Sequence, residues 1–312
     1  TPFKALQRGK VLEEFQVLGN HYLLALDGTG SFSSNKIKSD SCQTKINKKT
    51  GEVTYYQQVV GAALVHPDFK EVLPLAPEMV SPQDGDNKND CERNAVRRWL
   101  PKFRNDHPNL KVIVTEDALS ANAPHIKDLQ EHHMHYILGV KPGSNEFLYS
   151  HVCSAYAKGK MTEVSITDPK NPKKEHLFHF INGVPLNKSN PDLLINFVGY
   201  KEITPEKTKT FDWITDFNIT RNNLWEIMQC GRARWRIENE TFNTLKNQGY
   251  HFEHNFGLGQ KHLSKVFNKY FDKTSKSMQK VADEGGMCYT YVAQARQGET
   301  APNSHMLMKM AE

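Results

Sequence analysis

The chain of 312 residues is long enough for about two domains, and its 38% hydrophobic and 10% aromatic content excludes a disordered chain. A net charge of +5 permits an anionic partner without requiring one. No apolar run approaches the roughly 18 residues of a membrane span, and five scattered cysteines without a C-x-x-C pair indicate a reducing compartment rather than a disulfide framework.

In the first half of the chain, short apolar runs that stop at turns or acids predict strands. Residues 22–26 stop at Asp27, residues 55–65 stop at a His-Pro pair, and residues 110–114 are a β-branched run followed by acids that include Asp117. Helices are predicted over about 90–104, with Pro101 marking a bend or an end, and over about 124–132. A strand over 135–140 then completes a parallel crossover.

The second half predicts an antiparallel insert followed by a helix. Four β-like stretches, over 162–167, 176–182, 193–200 and 210–217, are separated by Pro, Gly, Lys and Asn. A helical apolar stripe then runs over about 220–249, with Gly231 weakening or bending it. The predicted organisation is an N-terminal linker over 1–20, a first core part over 21–142, a β-rich insertion over 143–217, a second core part over 218–267, and a basic helix with a disordered tail over 268–312.

Three acids are candidates for chemistry. Asp27 and Asp117 end two predicted strands, which is where sites form in α/β sheets, and Glu238 shares a helix face with apolar residues. Because an unpaired buried carboxylate is costly, acids that converge from different elements are well explained as ligands of hard cations. The alternative is structural: each Asp caps a turn, and Glu238 pairs with Arg234.

Longer segments around these acids resemble a known family. LALDGTGSF, TEDALSANAPHIKDLQ and RARWRIENETFNTLKNQGYHFEHNFGLG together resemble a DDE transposase of the bacterial insertion-sequence type, in the ISNCY-like group, over about residues 9–267. The resemblance implies an α/β fold with an RNase H-like mixed sheet flanked by helices, similar to that of retroviral integrases. It also implies an antiparallel β insert before the helix that carries the catalytic Glu.

The same resemblance implies an activity and its cofactor. Asp27, Asp117 and Glu238 would be the catalytic residues and the ligands of two Mg²⁺ ions, for which Mn²⁺ substitutes. The reaction would be phosphodiester hydrolysis and strand transfer at transposon ends on double-stranded DNA, with a second, target DNA as acceptor. A homodimer in the synaptic complex, a location at the bacterial nucleoid in the cytoplasm, and no membrane partner are also implied.

The residues expected to contact DNA are Arg232, Arg234, Lys246 and His254. Arg234 stands where the pattern Tyr-x2-Arg-x3-Glu-x6-Lys has its Arg, while Gly231 and Leu245 occupy the Tyr and Lys positions. Helical geometry favours Glu238 over Glu240 as the third acid, because Glu240 falls toward the polar side.

Two alternative functions remain open at this stage. One is a truncated, non-catalytic DNA-binding remnant, favoured by the short segment before Asp27 and by the polar C-terminal segment. The other is a metal-dependent nuclease of the same fold that hydrolyses DNA without strand transfer. Trp213 and Trp235 are predicted to pack in the core rather than to stack on a flipped base.

Overall fold

The computed structural model describes residues 2–39, 41–82, 88–168, 171–253, 268, 271, 276–285 and 288–297. They divide into two compact units. The first unit comprises Thr1–Thr29 and Gln58–His251, and the second comprises Gly30–Gln57 and Phe252–Glu312.

In the part of the chain that the structure describes, twelve strands form one mixed sheet. They are β1 (Gln16–Val17), β2 (His21–Ser34), β3 (Gln43–Ile46), β4 (Val53–Val65), β5 (Leu73–Pro74), β6 (Glu78–Met79), β7 (Val112–Glu116), β8 (His135–Gly139), β9 (Thr162–Asp168), β10 (Asn171–Asn187), β11 (Asn190–Ile203) and β12 (Thr208–Thr215). Within the first unit the strand order is β4-β2-β7-β8-β12-β11-β10-β9, with β1 beside β2, and β5 and β6 beside β4. β2, β7 and β8 are parallel, which confirms the predicted crossover.

Helices of the first unit lie on both faces of this sheet. They are α1 (Pro2–Arg8), a 3₁₀ helix (Val11–Phe15), α2 (Lys88–Asp106), α3 (Ala123–Glu131), α4 (Glu146–Ala157), α5 (Leu224–Ala233), a π-helical turn (Ile237–Phe242) and α6 (Asn243–Asn247). Two further helices, α7 (Met278–Gly285) and α8 (Tyr289–Gln297), belong to the second unit. α2 continues through Pro101, where a bend or an end was expected.

The central strands bury apolar side chains on both faces of the sheet, because successive side chains point to opposite faces. This explains why helices pack on both sides. Leu24 and Val114 pack in one buried cluster with residues of α2, α3 and α4, such as Trp99. Leu23 and Ile113 pack in a second cluster with residues of α5 and the π-helical turn. The predicted fold class, a mixed α/β sheet flanked by helices with an antiparallel insert before the segment that carries Glu238, is confirmed.

The antiparallel insert extends the core sheet. β9, β10, β11 and β12 pair antiparallel in sequence order, and β12 then pairs antiparallel with β8 through Ile214 and Leu138. All four predicted β stretches are strands, and each is paired along most of its length. Helix α4, which precedes them, was not predicted, because its sequence lacks a strong amphipathic pattern.

Residues 1–20, expected as a linker, also belong to the packed structure. They contain α1, the 3₁₀ helix and β1, and the side chains of Leu12 and Phe15 are buried in the first cluster. A linker would leave such apolar side chains in water, so burying them stabilises this conformation of the segment.

Gly231 allows the helix α5 to approach the insert closely. A Cβ atom at position 231 would lie 2.5 Å from Cε2 of Trp213, so the absence of a side chain lets the buried indole ring pack against the helix backbone. The glycine therefore serves packing, where the sequence indicated only a weak point in the helix.

We expect Gly231→Ala to lower the free energy of unfolding by about 1–3 kcal/mol, because overpacking a filled core forces side chains and backbone to shift. Gly143→Ala is the matched control, since a Cβ atom there meets nothing within 4 Å. Urea unfolding of both variants measures the difference. Equal stabilities of the two variants would contradict the close approach of Trp213.

The second unit contains a hairpin and two helices. β3 pairs antiparallel with the beginning of β4, from Gln43 opposite Tyr56 to Ile46 opposite Val53. α7 and α8 pack against each other and bury Val281 and Val292. α8 lies where a disordered tail was expected, and these small apolar residues explain its order. The rest of the predicted basic helix and tail lies outside the described residues. None of the described helices is both long and apolar enough to cross a membrane.

Candidate active site

Asp27 is the first acid along the central strand β2. It follows the buried run Leu23–Leu26, so the strand carries it from the apolar interior to the edge of the core. Its Oδ1 accepts a hydrogen bond from the backbone N–H of Gly28 at 2.9 Å. The side chain is 22% exposed, so the carboxyl group is largely buried.

Arg234 and Glu238 bring a helical segment to the same place. Arg234 Nη1 donates to Glu238 Oε1 at 2.8 Å and lies 3.4 Å from Asp27 Oδ2, so one guanidinium bridges both acids. Arg234 is only 11% exposed. Glu238 lies in the π-helical turn, which Ile237 and Phe242 anchor in the second cluster. Such turns recur at functional sites because they redirect side chains within a helix.

Asp117 directly follows β7, the strand that pairs with β2, and β2 carries Asp27. β2 and β7 pair in parallel with Ala25 opposite Thr115, so Asp27 and Asp117 occupy corresponding positions two residues on. Asp117 Oδ1 accepts a hydrogen bond from the backbone N–H of Leu119 at 3.0 Å, which is the turn-capping contact that the structural alternative predicts. Both acids also line one cavity of about 40 Å³.

The pKa of Asp27 shows that the acids interact. Burial is the main cause that raises this pKa from 3.8 to about 7, and a hydrogen bond with Glu238 and the charges of Glu238 and Asp117 raise it further. The positive charge of Arg234 opposes this shift. A carboxyl group with a pKa near neutrality is partly protonated at pH 7, and a nearby cation would favour its ionised form.

Two further acids that the sequence did not single out line the same cavity, Glu92 from α2 and Glu116 from β7. Glu116 is buried and forms an ion pair with the buried His125, and it also accepts from Ser120 Oγ at 3.0 Å. Burial favours the neutral imidazole of His125, but the carboxylate of Glu116 outweighs it and raises the pKa of His125. Two adjacent acids at the end of β7 could have indicated Glu116 from the sequence, whereas no local sequence pattern indicated Glu92.

The residues expected to contact DNA lie in different places. Arg234 is among the acids, whereas Arg232 Nη1 donates to Glu202 Oε2 at 3.0 Å in a neighbouring groove. Lys246 lies in the last turn of α6. His254 lies outside the described residues.

The neighbouring groove combines cations with aromatic rings and has a volume of about 650 Å³. Its lining includes Lys174, His176, Tyr200, Glu202, Lys209, Phe211, Trp225, Arg232, Trp235 and Arg236. Although burial raises the pKa of Glu202, hydrogen bonds from Lys174 and Arg232 lower it to about 2. Glu202 therefore stays charged and holds the cations along the groove.

Trp235 lines this groove and also contacts Arg234, which pairs with the acids. The residue is 49% exposed, and the guanidinium of Arg234 lies over its ring at 4.6 Å from the ring centroid. The prediction of a core position is therefore confirmed for the buried Trp213 and is wrong for Trp235. An exposed indole beside cations is a surface on which an unstacked base can lie.

The described residues include no group of three or more His, Cys, Asp or Glu already arranged as a metal-binding set. The guanidinium of Arg234 instead pairs with the carboxylates of both Asp27 and Glu238. The donor chemistry is nonetheless that of a hard cation: carboxylate oxygens, one of them on a residue with a raised pKa. The residue types therefore suit a divalent metal, although the described residues are not arranged around one.

No protein-family model and no curated protein matches the sequence. Among solved structures, the crystal structure of the NurA nuclease from Sulfolobus solfataricus is similar with a TM-score of 0.34 and 10% sequence identity. The match covers 87% of this chain and 94% of the nuclease chain. A similarity at that TM-score carries no argument about the chemistry of the site.

Proposed function

We propose that the chain is a metal-dependent DNA transposase of the DDE type, which hydrolyses phosphodiester bonds at transposon ends and transfers the strand to a target DNA. The observation that supports the proposal is that the carboxyl group of Asp27 interacts electrostatically with both Glu238 and Asp117, although the three acids come from separate parts of the chain. Their mutual repulsion is a cost that a bound cation would offset.

Asp27, Asp117 and Glu238 would hold two Mg²⁺ or Mn²⁺ ions. When bound, such ions activate the attacking hydroxyl group and neutralise charge on the leaving oxygen of an in-line displacement. Asp27 interacts electrostatically with both of the other acids, so it would help to hold either ion. It would lose its proton on metal binding, because the cation stabilises the charged form.

Arg234 would have two roles. Without metal, its guanidinium neutralises Asp27 and Glu238. With metal, the planar fork becomes available for a phosphate oxygen near the scissile bond, for which an Arg is better suited than a Lys. The basic and aromatic groove beside it would bind the DNA strand through its phosphates and bases. A homodimer would hold two transposon ends together.

A plasmid assay with the DNA that flanks the chain's own gene tests the proposal. Purified protein is incubated with supercoiled plasmid in Mg²⁺, Mn²⁺ or EDTA, and a duplex with a free 3′-hydroxyl is supplied separately as a donor for joining. We expect nicking and joining in Mg²⁺ or Mn²⁺ and neither in EDTA. Nicking without joining would indicate the nuclease alternative. DNA binding without cleavage under any metal condition would indicate the non-catalytic remnant.

Trp235→Ala is expected to weaken binding of single-stranded DNA about tenfold, because stacking contributes about 1–3 kcal/mol per base. The salt dependence of binding should stay unchanged, since no charge is removed. Fluorescence anisotropy with a labelled oligonucleotide measures both quantities. Trp235→Phe should restore most of the affinity, and Tyr156→Ala, which removes an exposed ring on α4, is the control. Equal losses in Trp235→Ala and Tyr156→Ala would contradict a stacking role.

A further inference from the structure

A cavity of about 380 Å³ lies between α4 and the antiparallel insert, within the first unit. It is on the face of the sheet opposite to the groove of Trp235, because Phe211 lines that groove and Asp212, the next residue of β12, lines the cavity. A volume of about 300–1,000 Å³ is typical of small-molecule sites. The lining includes Tyr149, Val152 and Tyr156 of α4 and Phe197, Gly199 and Asp212 of the insert.

Asp212 provides an open carboxylate oxygen in these mainly apolar surroundings. Among the described residues that line the cavity, it alone carries a carboxyl group. Its Oδ2 accepts a hydrogen bond from the hydroxyl group of Tyr149 at 2.6 Å. No described residue donates a hydrogen bond to Oδ1, and none forms an ion pair with this acid. One oxygen of a half-buried acid is therefore left for a ligand.

Gly199 keeps the space around this oxygen open. A Cβ atom at position 199 would lie 2.9 Å from Asp212 Oδ1 and 3.5 Å from Cε1 of Phe197. Glycine weakens the interior of a strand, and its presence there is typical of places where another group approaches the backbone closely. At this position of β11 the glycine makes room for the carboxylate at the floor of the cavity.

The charge of Asp212 is only partly compensated. Burial raises its pKa, whereas the hydrogen bond from Tyr149 and the charges of Lys201 and His179 lower it. His179 already pairs with Glu163 at 2.8 Å, and Lys201 is exposed at the cavity without an ion pair to Asp212. A carboxylate in apolar surroundings costs free energy, which a cation bound against it would offset.

We infer that this cavity binds a small organic ammonium ion, with its charged group at Asp212 Oδ1 and its apolar body against the rings of Tyr156 and Phe197. Aromatic faces attract organic cations, and the Tyr149 ring packs edge-on against Phe197 with the centroids 5.8 Å apart. A metal ion would need several oxygen ligands, whereas a single carboxylate suits an ammonium group. The inference is independent of the proposed function, since none of the residues expected at the catalytic site lines this cavity.

Calorimetric titration with benzylammonium chloride, and with benzyl alcohol as its neutral analogue, tests the inference. We expect wild type to bind benzylammonium at least about tenfold more tightly than benzyl alcohol. Asp212→Asn keeps the shape of the side chain and should remove this preference. Asp192→Asn, an exposed acid on β11, is the control and should bind both compounds as wild type. Thermal unfolding checks that each variant is folded.

Two substitutions at exposed positions keep the test decisive if Asp212→Asn does not fold. Tyr156→Ala removes a ring that is 58% exposed and should weaken benzylammonium binding, whereas Lys201→Gln removes a competing positive charge and should strengthen it. Equal affinity of wild type for both compounds, or no binding of either, would refute the cation site. DNA cleavage should be unchanged in Tyr156→Ala and Lys201→Gln, so a failure of this inference leaves the proposed function standing.

Discussion

Glu238→Gln is expected to lower metal-dependent DNA cleavage by about 10³-fold or more, since loss of a metal ligand removes several kcal/mol of transition-state stabilisation. Glu238 is the acid that Arg234 holds at 2.8 Å, and it shares a hydrogen bond with Asp27. Gln keeps the shape of the side chain but cannot balance a divalent charge. Single-turnover nicking of supercoiled plasmid in Mn²⁺ measures the rate.

Glu240→Gln is the matched control, because Glu240 lies in the same π-helical turn only two residues away. It should cleave within a few-fold of wild type, with unchanged DNA affinity for both variants. The reverse result, with Glu240→Gln inactive and Glu238→Gln active, would identify Glu240 as the third acid. Equal activity of both variants would show that this turn carries no catalytic carboxylate.

The sequence predicts the central strands well, because their signal is local. The apolar run before Asp27 and the β-branched run before Glu116 each form a buried strand, and the helix between the strands makes their pairing parallel. The four β stretches of the insert were equally evident from their alternation and turns. Each of these features depends on neighbouring residues in the chain, which a single sequence displays directly.

Features that depend on distant contacts were not predicted. The π-helical turn around Glu238 arises where Phe242 packs against Gly61, a residue of β4: a Cβ atom at position 61 would lie 2.5 Å from Phe242 Cε1. The approach of Glu92 to Gly28 likewise joins residues that are far apart in the chain. The insert joins the core sheet through the pairing of β12 with β8, which are distant in the chain.

The exposure of Trp235 is another feature that the local sequence did not predict. Its helical position beside apolar neighbours suggested the core, but the direction of a side chain in a distorted helix is set by tertiary packing. As a result Trp235 faces the groove and stacks with Arg234. The assignment of catalytic and metal-binding roles to the three acids stays a prediction, which the cleavage and metal-binding experiments test.

The stability of the metal-free protein is expected to fall as the pH rises from about 4 to about 7, through the titration of Asp27. Its pKa in the folded protein is about 7, against 3.8 as the ordinary value. The folded state therefore binds the proton more tightly than the unfolded chain, and stability falls between these two pKa values, where the unfolded carboxyl has ionised and the folded one has not. At about 1.4 kcal/mol per pKa unit, the full effect is at most about 4 kcal/mol.

Asp27→Asn isolates this effect, because it removes the titrating group and keeps its shape. In EDTA, urea unfolding should show Asp27→Asn and wild type nearly equal in stability near pH 4, and the variant more stable by about 2–4 kcal/mol at pH 8. Asp192→Asn, on an exposed stretch of β11, should follow wild type throughout. Saturating Mn²⁺ should reverse the order at pH 8, because the cation stabilises ionised Asp27 only in the wild type. A stability difference that stays constant from pH 4 to pH 8 would contradict the raised pKa and the electrostatic conflict among the acids that a metal would resolve.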